Sequence, residues 1–334
     1  MTKKRILSGM RPTGDLHIGH LLGVLKNWVN YQDSYDCYYM IADWHALMSE
    51  YKSPRKIQKA ILSNLADWLA AGLNPEKSTI FLQSDVPEHT ELHAILSTIT
   101  PIPWLERCPT YKEQLQELKE KDVFTYAFLG YPVLQTADIA LYQADAVPVG
   151  KDQIPHLELG REIIRRFHHL FDCDIFPEPE ALLDSQAHKI LGLDRRKMSK
   201  SYNNYIEISA EEDVLFKKVG KMLTDQSRIR LNDIGHPDIC NVYSYYEIFA
   251  QEQTVDVREW CEGAHKGCSD CKKNLAAIIN DTLAPIRTKK NALMKNPKEL
   301  YALLKEGAKK ARVVAGETME QVRKAIQIGV KDGL

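Results

Sequence analysis

His17, His20, Lys197 and Lys200 are side chains that handle phosphate, and each pair sits in a short segment built for that purpose. The first segment, His17-Ile18-Gly19-His20, follows an apolar run (Ile6-Leu7-Ser8-Gly9-Met10) and a turn (Arg11-Pro12-Thr13-Gly14). It opens an amphipathic stretch, Leu21-Leu22-Gly23-Val24-Leu25. That order reads as a strand, a tight turn and a helix start. A helix N-terminus presents unpaired N–H groups and partial positive charge, so it attracts anions. Two imidazoles there can donate to phosphoryl oxygens, and Gly19 lets a nucleotide approach the backbone. The second segment, Lys197-Met198-Ser199-Lys200-Ser201, puts two ammonium groups and two hydroxyls on a polar loop. The bland alternative is a helix-capping histidine pair and an unrelated solvated lysine loop.

The elements that must position these groups follow from local pattern. Residues 4–10 read as a strand and 19–31 as a helix. Cys37-Tyr38-Tyr39-Met40-Ile41-Ala42 reads as a buried strand, which places Asp43 and His45 just past its carboxyl end, pointing into a ligand crevice. Ser53-Pro54 starts a helix that runs to about Ala71 and stops at Gly72. Thr79-Ile80-Phe81-Leu82-Gln83 is a third strand and Val147-Pro148-Val149-Gly150 a further one. Residues 85–130 read as mostly helical with a charged stretch from Lys112 to Asp122, and Ile154 to Leu170 as a basic amphipathic helix. Alternating strands and helices with short connections predict an α/β fold: a Rossmann-like, doubly wound parallel sheet covered on both faces. After Ser201 the texture becomes helical, so residues 1–207 are expected to form the nucleotide-binding domain with a helical insertion, and 208–334 an all-helical C-terminal domain.

Together and in this order, the two phosphate-handling segments resemble the HIGH and KMSKS signatures of class I aminoacyl-tRNA synthetases. Within that superfamily the chain is most similar to the tryptophanyl-tRNA synthetases. The matching segments are 8–14, 42–46, 81–84, 131–139, 147–153 and 197–201, and the likeness covers nearly the whole chain. The resemblance implies attack of an amino-acid carboxylate on the α-phosphorus of ATP, which needs positioning and positive charge rather than a protein nucleophile. His17 and His20 would donate to the phosphates, Lys197 and Lys200 would neutralise departing pyrophosphate, and Ser199 would add a hydroxyl. Arg11, Pro12, Thr13, Gly19, Gly150, Lys151, Asp152, Ile190, Met198 and Ser201 complete the implied ATP site. Mg²⁺ would arrive with ATP, held mainly through water, with no dedicated carboxylate cage.

For the amino acid, the resemblance assigns Asp138 to the indole N–H, with Tyr131 and Gln153 on the substrate ammonium and Leu7, His45 and Gln135 in the pocket. Indole nitrogen only donates, so a carboxylate is a suitable reader. Tyr131, Gln135 and Asp138 lie at i, i+4 and i+7 and share one helical face. Tyrosyl-tRNA synthetases share the fold and much of this arrangement, but read the phenol with a tyrosine where this chain has Leu7. Leucine leaves a buried hydroxyl unpaired, which favours indole. Two positions depart from the family: Lys151 stands where glutamate is usual, and Gln135 where many members carry methionine.

Cys240, Cys261, Cys268 and Cys271 form C-x20-C-x6-C-x2-C, the kind of spacing that thiolate metal sites use. Four thiolates can hold Zn²⁺ or a 4Fe–4S cluster, and ligand type alone does not choose. The resemblance points to the cluster, since a subset of bacterial tryptophanyl-tRNA synthetases carries a similar motif, here with a longer gap that is two residues short. Cys37, Cys108 and Cys173 read as small apolar fillers.

The 334 residues carry a formal net charge of −1, so global charge does not advertise a nucleic-acid partner. From Ile286 to Leu334, however, 12 Lys and Arg stand against 5 Asp and Glu, a basic end suited to phosphate contact or simply to a solvated helix face. No apolar run approaches the ~20 residues of a membrane span, and no leader precedes the first strand, so a cytoplasmic protein is expected. The resemblance further implies tRNA(Trp) and L-tryptophan as partners and a homodimer. Other readings are a tyrosyl-tRNA synthetase, a small-molecule nucleotidyltransferase and a non-catalytic RNA-binding paralogue.

Overall fold

The computed structural model describes residues 3–109, 111, 124–183 and 190–328, and only the backbone of Ser201. The charged stretch Lys112–Asp122 therefore lies outside the described residues except as sequence. Five parallel strands form one sheet in the order β3-β2-β1-β4-β5: β1 (Arg5–Met10), β2 (Asp36–Ile41), β3 (Ser78–Leu82), β4 (Ala146–Val149) and β5 (Glu180–Leu183). The order reverses between β1 and β4, and a cleft opens at the carboxyl ends there, as expected of doubly wound sheets. The last strand is short and half exposed, and its Glu180-Ala181-Leu182-Leu183 carries no β-branched residue that would announce it.

Alternation along the strands builds two cores. Ile6 faces one, with Leu16, Ile18, Trp28 and Tyr39; Leu7 faces the other, with Tyr38, Phe81, Val133 and Ala137. Helix α1 (18–31) opens at Ile18–His20, passes through a π-helical turn at Leu21–Leu25 and ends as Lys26–Tyr31. The helix α2 (Asp43–Glu50) follows β2. Next, α3 (Pro54–Ala70) begins on the expected proline and ends before Gly72, whose φ of +117° suits glycine. Then α4 (Glu88–Ile99), α5 (Tyr131–Leu141) and α6 (Ile154–Phe171) pack around the Leu7 side.

Beyond the KMSKS loop the chain is helical: α7 (Glu212–Gly220), α8 (Asn241–Phe249), α9 (Thr254–Glu262), α10 (Cys268–Leu293) and α11 (Pro297–Ile326). Two of these return to the sheet. Helix α10 packs on α3, where Lys290 Nζ reaches Asp67 Oδ2 at 3.0 Å. Helix α11 lies along β3, so closely that a Cβ on Gly307 would fall 1.8 Å from the Ile80 carbonyl oxygen. Its Leu300 and Leu304 join one core, and its Ala308, Ala311, Ala315 and Met319 the other. The basic end is thus partly committed within the chain: Lys305, Arg312 and Arg323 pair with Asp85, Glu88 and Glu91. Among the described residues no helix is long and apolar enough to cross a membrane.

Candidate active site

The cleft at the sheet's switch point has a volume of about 440 Å³, within the ~300–1,000 Å³ of small-molecule sites. Of the residues expected there, Leu7, Arg11, His20, His45, Tyr131, Gln135, Asp138, Gly150 and Gln153 line it. Asp43 does not: its carboxylate accepts the Ser84 N–H at 3.0 Å and ties α2 to the turn after β3. Lys151 is exposed outside the lining, and Ile190 is half-buried against the core rather than in the cleft. The cleft gains Met10, Met40, Met48 and Phe128, apolar walls that no spacing singled out.

The HIGH and KMSKS segments meet. The chain around 206–208 is zipped to residues 16–18, with Ile18 N–H donating to Ile206 O and Ile208 N–H to Leu16 O, both at 3.0 Å. Lys200 Nζ lies 3.7 Å from where a Cβ of Gly14 would be, and Met198 is buried with its sulfur 3.6 Å from that of Gly19. Met198 therefore pins the loop to the core, while Lys197 is exposed. Asn204, buried and unmarked by sequence, holds the loop: its Oδ1 accepts the Ser199 N–H at 2.8 Å, and its Nδ2 donates to Asp194 and to Lys197 O.

Burial and the nearby Lys200 charge push His17 down to about 4. Burial, His17 and Lys200 push His20 well below its usual range. Both rings are neutral at pH 7, so what they can offer an anion is hydrogen bonds, not charge. His17 N–H donates to His20 Nδ1 at 3.1 Å, which fixes the His20 proton on Nε2. Burial also lowers Lys200 to about 8, partly opposed by Asp15 and Asp67.

The shared face of α5 delivers Tyr131, Gln135 and Asp138 together, as its periodicity requires. Around Tyr131 a relay forms through His156, which burial holds at about 4 and so neutral. Its Nδ1 donates to Gln153 Oε1 at 3.1 Å, and its Nε2 accepts the Tyr131 hydroxyl at 2.6 Å. Gln153 Nε2 donates in turn to Asp152 Oδ2 at 3.0 Å. The phenol proton is thereby committed, leaving the Tyr131 oxygen to accept from a substrate ammonium.

Asp138 is fully buried and crowded with donors. Oδ1 accepts from His89 Nδ1 at 2.6 Å and Gln83 Nε2 at 2.9 Å; Oδ2 accepts from His45 Nε2 at 2.7 Å and Gln83 Nε2 at 3.0 Å. Burial pushes this carboxyl up, but the interactions with His89 and His45 outweigh it and hold it down at about 2. A carboxylate offers about four lone-pair sites, so an incoming donor must share or replace one of these. His45 alone of the three donors lines the cleft. Gln83 and His89 were not expected from sequence.

The four cysteines come from different elements: Cys240 caps α8, Cys261 lies on α9, and Cys268 and Cys271 form the first turn of α10. All four line one small cavity, with Arg228 and Lys266 beside them. The four expected residues thus converge on one place. Among the described residues, no group of three or more His, Cys, Asp or Glu side chains is arranged to hold a metal ion. Burial raises the Cys261 thiol and pushes that of Cys271 up to about 12.

Comparison with known proteins decides the lineage. The profile of class I tRNA synthetases for W and Y matches residues 2–284. The chain belongs to that family. It is 48% identical to the tryptophan–tRNA ligase of Thermotoga maritima over 97% of this chain and 99% of that one. It is 40% identical to the tryptophan–tRNA ligase of Aquifex aeolicus, over 97% and 100%. Among solved structures, tryptophanyl-tRNA synthetase from Campylobacter jejuni, complexed with ADP and tryptophan, superposes with a TM-score of 0.89 at 35% identity, covering 97% of this chain and all of that one. The segment that opens α1 and the shared face of α5 both line the cleft, and the Lys197–Ser201 loop approaches the turn at Gly14 beside it.

Proposed function

We propose that this chain is an ATP-dependent tryptophan–tRNA ligase. Tryptophan's carboxylate attacks the α-phosphorus of ATP, pyrophosphate leaves, and the terminal ribose hydroxyl of tRNA(Trp) then takes the aminoacyl group while AMP leaves. The observation that carries the choice of amino acid is the buried, anionic Asp138 beside Leu7 and Met40 in one cleft. It offers an acceptor to a ring N–H and no second polar partner for a phenol on the Leu7 side. Tyr131 and Gln153 receive the ammonium. His20 donates through Nε2 to the phosphates with His17 behind it, Lys200 and Lys197 meet the pyrophosphate, and Mg²⁺ enters as the ATP complex. Arg11, Pro12, Thr13, Gly150, Lys151 and Asp152 bound the nucleotide.

Residues 1–207 are assigned to catalysis and 208–334 to the tRNA anticodon, in a cytoplasmic homodimer. The convergence of Cys240, Cys261, Cys268 and Cys271 on one cavity, with Lys266 and Arg228 to offset thiolate charge, supports a tetrathiolate centre. A 4Fe–4S cluster is the first assignment and Zn²⁺ the second. Loading draws the thiols together and deprotonates them.

The test is amino-acid-dependent ATP–pyrophosphate exchange with tryptophan beside tyrosine. Exchange with tryptophan alone supports the reading. A preference for tyrosine overturns the pocket assignment but keeps the fold, and exchange with neither overturns the enzyme.

A further inference from the structure

Behind Asp138, away from the cleft, a second layer of polar groups lies in the core. His89 and Tyr142 are both fully buried, and neither lines the cleft. His89 Nδ1 faces Asp138 Oδ1 at 2.6 Å, and its Nε2 faces the Tyr142 hydroxyl at 2.8 Å. The Tyr142 ring is fixed among Tyr38, Phe81 and His89, with centroids 5.0, 5.5 and 5.4 Å away, and its backbone carbonyl accepts Arg5 Nη1 at 2.8 Å. On the other side, Gln83 Oε1 accepts the Trp44 N–H at 3.2 Å, which leaves its NH₂ to face the carboxylate.

We propose that Tyr142 and His89 are positioning residues for tryptophan recognition: the Tyr142 hydroxyl holds the far end of the His89 ring, and the ring so held keeps Asp138 oriented as the acceptor for the ring N–H. This rests on the reading of Asp138 as the indole partner.

The logic is one of protons. An ionised carboxylate only accepts, so His89 must present N–H from Nδ1. The other ring nitrogen, Nε2, is left to face the Tyr142 hydroxyl at 2.8 Å in this dry setting. Burial and the Asp138 charge raise the Tyr142 phenol well above its ordinary range, so it keeps the proton it donates. Without that hydroxyl, Nε2 loses the partner that holds the far end of the ring. The ring is then free to turn, the Nδ1–H loses its line to the carboxylate, and Asp138 rotates with it. The group that reads the indole would be lost although no residue touching substrate had changed.

The test uses the full-length protein in ATP–pyrophosphate exchange, comparing tryptophan with its benzothiophene analogue, in which sulfur replaces the ring N–H. The readout is the ratio of kcat/KM for the two, in wild type, Tyr142→Phe, His89→Asn and Asp138→Asn. The expected result is that Tyr142→Phe lowers the ratio about fivefold, chiefly through KM for tryptophan, with the analogue nearly unaffected. His89→Asn keeps a donor toward Asp138 without needing Tyr142, so combining it with Tyr142→Phe should produce no further loss. If Tyr142→Phe weakens both substrates equally, or neither, the proposal fails. If Asp138→Asn keeps the wild-type ratio, Asp138 does not read the indole, and the proposal falls with that assignment.

Discussion

Lys290 Nζ stands 3.0 Å from Asp67 Oδ2 and 2.9 Å from Ser209 Oγ, a buried ion pair that joins helix α10 to helix α3 across 223 residues of sequence. Asp67 is fully buried, and among the described residues its Oδ1 has no hydrogen-bond partner. A charge so placed leans chiefly on the Lys290 ammonium, with Lys200 a lesser influence. Lys290→Met should therefore destabilise the fold by about 3–5 kcal/mol, read as a shift in the denaturation midpoint. Replacing both partners by Met and Leu should recover much of that loss, and a double variant as weak as the single one would show that the pair matters for its shape and not its charge.

The same carboxyl carries a pH signature. Burial raises Asp67 to about 6 against Lys290, so the native state holds this proton more tightly than the unfolded chain does. Its contribution to stability is full below the unfolded value near 4 and is lost as pH rises through 6, a change of about 1–3 kcal/mol. Asp67→Asn should remove that slope, as measured by urea denaturation between pH 4 and 7.

Lys200 gives a kinetic signature with the opposite limb. With its ammonium brought down to about 8, its charge is present below that pH and fades above it. kcat/KM for ATP should fall as pH rises through about 8, while His17, held at about 4, adds no limb near that pH and His20 is pushed the same way. Lys200→Arg keeps the charge, so whatever activity it retains should be flat across that range. An unchanged alkaline limb in the variant would assign it elsewhere.

His156 touches no part of the cleft yet orders two residues that line it, through Tyr131 and Gln153. His156→Phe should raise KM for tryptophan about tenfold with KM for ATP unchanged, since one aligned hydrogen bond is at stake on the ammonium side. Pyrophosphate exchange at varied tryptophan and varied ATP separates the two.

Cys271 forms the first turn of α10, with its carbonyl accepting the Tyr246 hydroxyl at 2.8 Å. Anaerobic purification with assays for iron, acid-labile sulfide and zinc should return iron and sulfide; stoichiometric zinc without sulfide would replace the cluster by zinc. Cys271→Ser should lower tRNA charging far more than tryptophan activation, and equal loss in both would point to general unfolding.

What sequence made legible was periodic or capped. The strand over residues 4–10, the proline-started helix at Pro54 and the i, i+4, i+7 set on α5 each carry their geometry in local spacing, and each stands where it was expected. Gln83, His89, His156 and Asn204 were not legible, because a single polar residue within an ordinary helix or turn looks the same whether it faces water or a buried carboxylate. The pairing of α10 with α3 was equally hidden, since nothing near Lys290 names Asp67. The cysteines show the middle case: spacing singled them out and all four line one cavity, while their mutual geometry is set by three separate helices, which spacing does not encode.

Helix α11 has a consequence for how the protein is made. β3 is an edge strand, bonded only to β2, and its free side is closed by a helix whose backbone touches it at Gly307. Until that helix has left the ribosome, the nascent sheet presents an open flank, of the kind that invites pairing with another chain. A helix synthesised long after β3 thus seals the sheet's open edge, and a chain released before Gly307 would carry both phosphate-handling motifs on a sheet with one side unguarded.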